Sequence, residues 1–175
     1  MVRCIGIDPG LGRLGFGSVV QEGHSFRLIS FGCVETSPKE SVPARLDAIY
    51  RKLGEQIELC SPDFMAVEKL FFGRNITTAE YVWQARGVVL LLASQFNLPL
   101  YEPKPSQIKL CVCGYGNAPK EQLQRMVQRL LNLDEVPQPD DAADAIAAAL
   151  TGCTMHSQER RAVNSGGSHA SVPFR

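Results

Sequence analysis

Residues 5–17 read IGIDPGLGRLGFG, and the carboxylate Asp8 closes an apolar run that otherwise has the composition of a buried strand. Asp-Pro-Gly is ordinary turn chemistry, because Asp hydrogen-bonds its own following backbone, Pro fixes φ and Gly tolerates left-handed angles. A lone instance needs no more than a turn. A second carboxylate in a similar place changes the reading, because two strand-end acids side by side repel each other and take up protons unless a cation neutralises them.

Outward from that stretch, apolar runs over 2–8, 15–20 and 26–35 predict three strands joined by PGLGR and QEGH, lengths that suit antiparallel hairpins. Between 42 and 59, Leu46, Ile49, Tyr50, Leu53 and Ile57 keep the spacing of a one-sided amphipathic helix, which CSPD ends. FMAV at 64–67 is a short strand ending on Glu68, and a strand after a crossover helix lies parallel in the same sheet. TTAE at 77–80 has the form of a capping box and opens a helix to about 96. A fifth strand at 99–101, short helices at 105–112 and 120–131, and an Ala-rich helix at 140–150 complete the order. The expected fold class is α/β, a five-stranded mixed sheet flanked by helices. Residues 1–156 form a single domain on this reading, and the polar, turn-rich segment 157–175 is a disordered tail.

The first and fourth strands, as parallel neighbours, would both carry a carboxylate at the C-terminal edge, where open α/β sheets place their sites. The third contributor is PQPDDAADAIAAAL at 137–150. One acid there is sufficient as a helix cap. Asp141 and Asp144, however, share a helix face, and the alanines keep the helix slim enough to lie close to a sheet. Asp8, Glu68, Asp141 and Asp144 then converge as an all-oxygen set that suits two Mg²⁺ or Mn²⁺ ions, an arrangement known for phosphodiester hydrolysis.

The chain has 175 residues, 18 basic and 18 acidic, so its net charge is zero. The distribution is uneven. Residues 69–130 hold eight bases against three acids, and residues 131–150 hold five acids and no base, so a basic zone beside an acidic knot can still bind a polyanion locally. No apolar run approaches the length of a membrane span and no signal peptide is visible, which predicts a cytoplasmic protein. The six cysteines fit reduced thiols, and no Cys/His spacing suits zinc.

GIDPG at 6–10, AVEKLFFGRN at 66–75, QARGV at 84–88 and DDAADAIAAAL at 140–150, in this order, resemble the RuvC family of bacterial Holliday-junction endonucleases, which have the ribonuclease H-like fold. The resemblance covers residues 2 to about 153. It implies a metal-dependent endonuclease that resolves four-way DNA junctions by paired nicks, with Asp8, Glu68, Asp141 and Asp144 as catalytic metal ligands. It further implies that Phe71 meets the junction's bases, that Lys109 and Lys120 contact the DNA backbone, and that a branch-migration motor complex is a partner. Family members often carry THCH after the last helix, where this chain reads TGCTMH.

Two further expectations rest on the residues themselves. The consecutive aromatics in LFFGRN cannot both enter one core if the segment is extended, so one is exposed beside Arg74 and Asn75, able to stack on an unpaired base while Arg74 meets the backbone. The helix YVWQARGVVLLLASQF, part of the 77–96 segment, is apolar nearly all round, which predicts a homodimer through it. Three other readings compete with this one. An actin-like ATPase needs a duplicated domain and a second phosphate loop, which are missing here. A non-catalytic branched-DNA binder would be expected to lose an acid. A smaller RuvC-like nuclease of RNA processing would lack FFGRN.

Overall fold

Alternation along β1 (Val2–Asp8) decides how the molecule is layered. Successive strand side chains point to opposite faces, so Ile5 and Ile7 enter one core while Cys4, Gly6 and Asp8 face the other. The same alternation in β4 (Phe64–Val67) sends Met65 and Val67 to the first core and Phe64 and Ala66 to the second. Glu68, the next residue, continues on the second face.

The computed structural model describes residues 1–70 and 76–164, with the side chains of 76–78 excepted. Besides β1 and β4, the chain forms β2 (Arg13–Glu22), β3 (Ser25–Glu35) and β5 (Leu100–Tyr101). The helices are α1 (Val42–Cys60), α2 (Ile76–Gln95), α3 (Pro105–Cys113), α4 (Lys120–Leu130) and α5 (Asp140–Asn164). The sheet order is β3-β2-β1-β4-β5. β1 pairs antiparallel with β2, and β2 with β3, while β4 runs parallel to both β1 and β5. The expected mixed five-stranded sheet is present.

Helices α1 and α2 cover one face of the sheet. Ile49, Leu53 and Ile57 of α1 and Ala85, Val89 and Leu92 of α2 close over Ile5, Ile7, Phe16, Met65 and Val67. α1 begins where Ser41 accepts a hydrogen bond from the Ala44 N–H at 3.4 Å, and it stops at Ser61, which has a left-handed φ of 45°. On the other face, α5 lies along β1 and β2, backed by Ile108 and Val112 of α3 and by Leu123 and Val127 of α4.

α5 seats unusually close. A Cβ at Gly6 would fall onto the Ala145 carbonyl oxygen, one at Gly15 onto the Asp141 carbonyl oxygen, and one at Gly17 onto Ile146 Cγ1. The small residues of the sheet and the alanines of the helix thus let backbone meet backbone, and the first turn of α5 is placed directly against β2.

The last helix corrects the expected boundaries. It continues fourteen residues beyond 150, so 157–164, assigned from sequence to a disordered tail, are helical. The physical reason is local and tertiary together. QERRA is a run of good helix formers. The Tyr101 hydroxyl reaches Glu159 Oε2 at 2.5 Å and His156 Nδ1 at 3.0 Å, and Ser157 Oγ lies 3.3 Å from Gln21 Oε1. Residues 165–175 lie outside the described residues.

Candidate active site

Three elements bring the four acids to one edge. Asp8 ends β1 opposite Gly15 of β2. Glu68 follows β4, with its N–H donating to the Ile7 carbonyl at 3.1 Å, so the ladder places it beside Asp8. Gly15 touches the Asp141 backbone, and one helical turn carries Asp144 onto the same side. The four carboxylates predicted from sequence therefore share the face of the sheet that α5 covers.

Electrostatics register the crowding. Burial first, then the neighbouring Glu68, Asp144 and Asp141 charges, push Asp8 up to about 8, with Lys120 opposing. Burial and Asp144 push Glu68 up to about 7 against Lys109 and Lys120. Asp144 is also raised, foremost by burial and despite a hydrogen bond from Lys120.

Two cations stand among these acids. Lys120 Nζ lies 3.0 Å from Asp144 Oδ2 and 2.8 Å from Asp140 Oδ2. Arg13 Nε lies 3.0 Å from Asp141 Oδ2, and its Nη2 lies 3.8 Å from Asp140 Oδ1. The Arg13–Asp141 contact is an ion pair without hydrogen-bond geometry, so the buried Oδ2 of Asp141 has no hydrogen-bond partner. Lys120 holds its proton more tightly than an ordinary lysine, because its bonds to Asp140 and Asp144 outweigh the opposing effect of burial. Next to this group is a cavity of about 270 Å³ lined by Glu68, Pro105, Ile108, Lys109, Lys120, Leu123 and Asp144. Lys109 and Lys120, both expected at a DNA backbone, thus line the same cavity as Glu68 and Asp144.

Among the described residues no three acid, thiol or imidazole groups stand close enough together to hold a metal ion. The chemistry of the donors nonetheless fits hard divalent cations. All are carboxylate oxygens, one buried oxygen lacks a hydrogen-bond partner, and burial, with the neighbouring carboxylates, pushes Asp8 and Glu68 toward protonation.

Phe71, Arg74 and Asn75 lie outside the described residues, and so does the side chain of Thr77 in the expected capping box. Sequence reading gave Arg13 no role and Asp140 only that of a candidate helix cap. Only the adjacency of Asp140 to Asp141 could have flagged the latter, since both contacts depend on chain folding. His156, the histidine of TGCTMH, stacks on Phe64 with ring centroids 4.6 Å apart. It lies twelve residues, about 18 Å, along α5 from Asp144, and so serves the core rather than the carboxylates.

Comparison with known proteins accords with this geometry. The family model described as "Crossover junction endodeoxyribonuclease RuvC" matches residues 4–152. The chain is 46% identical over 156 residues to the protein of that name from Pseudothermotoga lettingae, covering 89% of this chain and 96% of the relative. It is 48% identical over 153 residues to the one from Alkaliphilus metalliredigens, covering 87% and 92% respectively. The fold superposes on that of T. thermophilus RuvC, solved in complex with a Holliday junction substrate, with a TM-score of 0.87. Sequence identity there is 36%, over 91% of this chain and 97% of that one. The mixed sheet and its flanking helices are ribonuclease H-like, and the chain belongs to the RuvC family of crossover junction endodeoxyribonucleases.

Proposed function

We propose that this protein resolves four-way DNA junctions by nicking paired strands, with water as the nucleophile, at the site formed by Asp8, Glu68, Asp141 and Asp144. The observation that carries the reading is the gathering of four acids from β1, β4 and α5 at one sheet edge, with Lys109 and Lys120 lining the adjoining cavity. Two Mg²⁺ ions, for which Mn²⁺ substitutes, supply water activation and stabilisation of the leaving oxygen when bound. The four carboxylates hold that charge and fix its place, and β1 and β4 keep Asp8 and Glu68 in register. Lys109 and Lys120 pair with phosphate oxygens and orient the strand. Phe71 stacks on an unpaired base beside the cut, with Arg74 at the backbone and Asn75 also contacting DNA. In the cell a branch-migration motor complex delivers the junction.

The test incubates the protein with a four-way junction, a linear duplex and an RNA–DNA hybrid, each with and without Mg²⁺. Paired nicks in the junction alone, dependent on the metal, are expected. Preferred cutting of the hybrid would point instead to RNA processing, and binding without cutting to a non-catalytic module.

A symmetric dimer through α2 belongs to the same reading. One side of α2 packs on the sheet through Ala85, Val89 and Leu92, while Trp83 and Leu91 on the opposite side are 37% and 52% exposed. Between them Gly87 has open space where a Cβ would project, so a second backbone can approach closely. A twofold axis there would join two active sites for cuts in both strands. Leu91→Arg, at an exposed position, should leave the monomer folded, as read by circular dichroism, yet shift micromolar protein from dimer to monomer in sedimentation. Paired nicking should then become uncoupled single nicks.

A further inference from the structure

Asp140 opens α5 and, among the described residues, is the group that contacts both cations of the site. Its Oδ2 is 2.8 Å from Lys120 Nζ and its Oδ1 is 3.8 Å from Arg13 Nη2. The same two cations also reach inward, Arg13 to Asp141 at 3.0 Å and Lys120 to Asp144 at 3.0 Å. A row of alternating charge, Asp141, Arg13, Asp140, Lys120, Asp144, therefore ties the start of β2 to the first residue of α4 across the first turn of α5. Asp140 is 40% exposed, whereas Asp141 and Asp144 are 20% and 19% exposed. The outer acid and the inner acids thus compete for the same two cations.

That competition has a direction. A divalent ion that takes Asp141 and Asp144 must dislodge Arg13 and Lys120 from them, and the dislodged groups need another anion nearby. Asp140 is already in contact with both. It draws them outward before the ion arrives and keeps them at the rim afterwards, where phosphate oxygens of a bound strand would pass. We propose that Asp140 is a positioning residue that holds Arg13 and Lys120 at the rim of the carboxylate site and so lowers their competition with the divalent ion for Asp141 and Asp144. This rests on the proposed reading of Asp141 and Asp144 as metal ligands.

The experiment is calorimetric titration of the metal-free full chain with Mg²⁺, without DNA, for wild type, Asp140→Asn, Asp140→Glu, Arg13→Ala, Arg13→Ala with Asp140→Asn, and Asp141→Asn. Thermal unfolding in chelator verifies that each variant is folded. Asp140→Asn is expected to weaken Mg²⁺ binding roughly three- to fivefold, in the range of a partly exposed ion pair, and Asp140→Glu to restore it. With Arg13→Ala already in place one competitor is gone, so the effect of Asp140→Asn should shrink. Equal weakening in both backgrounds would mean that Asp140 merely attracts the ion as a nearby charge, which overturns the proposal, as does no weakening at all. Unchanged Mg²⁺ binding in Asp141→Asn is a different failure, because it removes the ligand reading beneath the proposal.

Discussion

Asp8→Asn is expected to lower junction cleavage by about three orders of magnitude or more while leaving junction binding in chelator nearly intact, because in the proposed site the acids hold metal and the bases hold phosphate. The same change should make the metal-free protein more stable near pH 8. Asp8 is pushed up to about 8 in the folded protein, against about 4 for an ordinary carboxyl. Between those values the folded state keeps a proton that the unfolded chain has lost. Metal-free stability therefore falls as the pH rises through that window, and the loss is complete once Asp8 ionises above it. Glu68, pushed up to about 7, adds a narrower window of the same sign. Asparagine cannot ionise, so the variant should show a flatter fall of melting temperature between pH 5 and pH 9. Because a divalent ion takes the ionised form, Mg²⁺ binding at neutral pH should release protons, and less so in the variant. Calorimetry in buffers of differing ionisation enthalpy measures that release. A variant that cuts junctions at the wild-type rate would remove Asp8 from the site.

Gly15→Ala should cost about 3 kcal/mol of stability and most of the activity, since overpacking that presses on backbone cannot be relieved by a side-chain rotation. The added methyl meets the Asp141 carbonyl oxygen, so either α5 lifts from β2 or β2 bends away. Both moves separate Asp141 from Asp8. Gly54→Ala in α1 supplies the contrast: its nearest neighbour, Leu92 Cδ2, would be 3.7 Å from the new Cβ. An alanine inside a helix stabilises by about 0.5–1 kcal/mol over glycine. Chemical denaturation of the two variants should thus move in opposite directions. Equal effects would mean that the close seat of α5 is not what glycine at position 15 provides.

Much of this arrangement was legible because it follows from periods. The two-residue alternation of β1 and β4 carries Asp8 and Glu68 to one face, and the three-residue step of a helix carries Asp141 and Asp144 together. Those rules need only sequence order and the parallel pairing of β1 with β4. Arg13 and Asp140 obey no period. Their contacts arise because the start of β2 and the N-terminus of α4 flank the first turn of α5, which is a property of packing. The end of α5 was misplaced for a related reason. Polar residues after an Ala-rich run look like a tail until Tyr101, far away in sequence, is seen to reach His156 and Glu159.

The seating of α5 on glycine also bears on time. A helix whose carbonyl oxygens at Asp141 and Ala145 sit directly on Gly15 and Gly6 has little room to advance, so the carboxylates of its first turn are not expected to approach Asp8 by backbone displacement. Whatever rearrangement accompanies the arrival of a cation must come from torsions of Asp141, Asp144, Arg13 and Lys120 alone. Rotations of partly exposed side chains take picoseconds to nanoseconds, whereas helix shifts take microseconds or longer. Loading of the site should accordingly be limited by how fast the ion sheds its own water, and amides of the α5 segment over Gly6 and Gly17 should be among the slowest to exchange with solvent, whether or not metal is present.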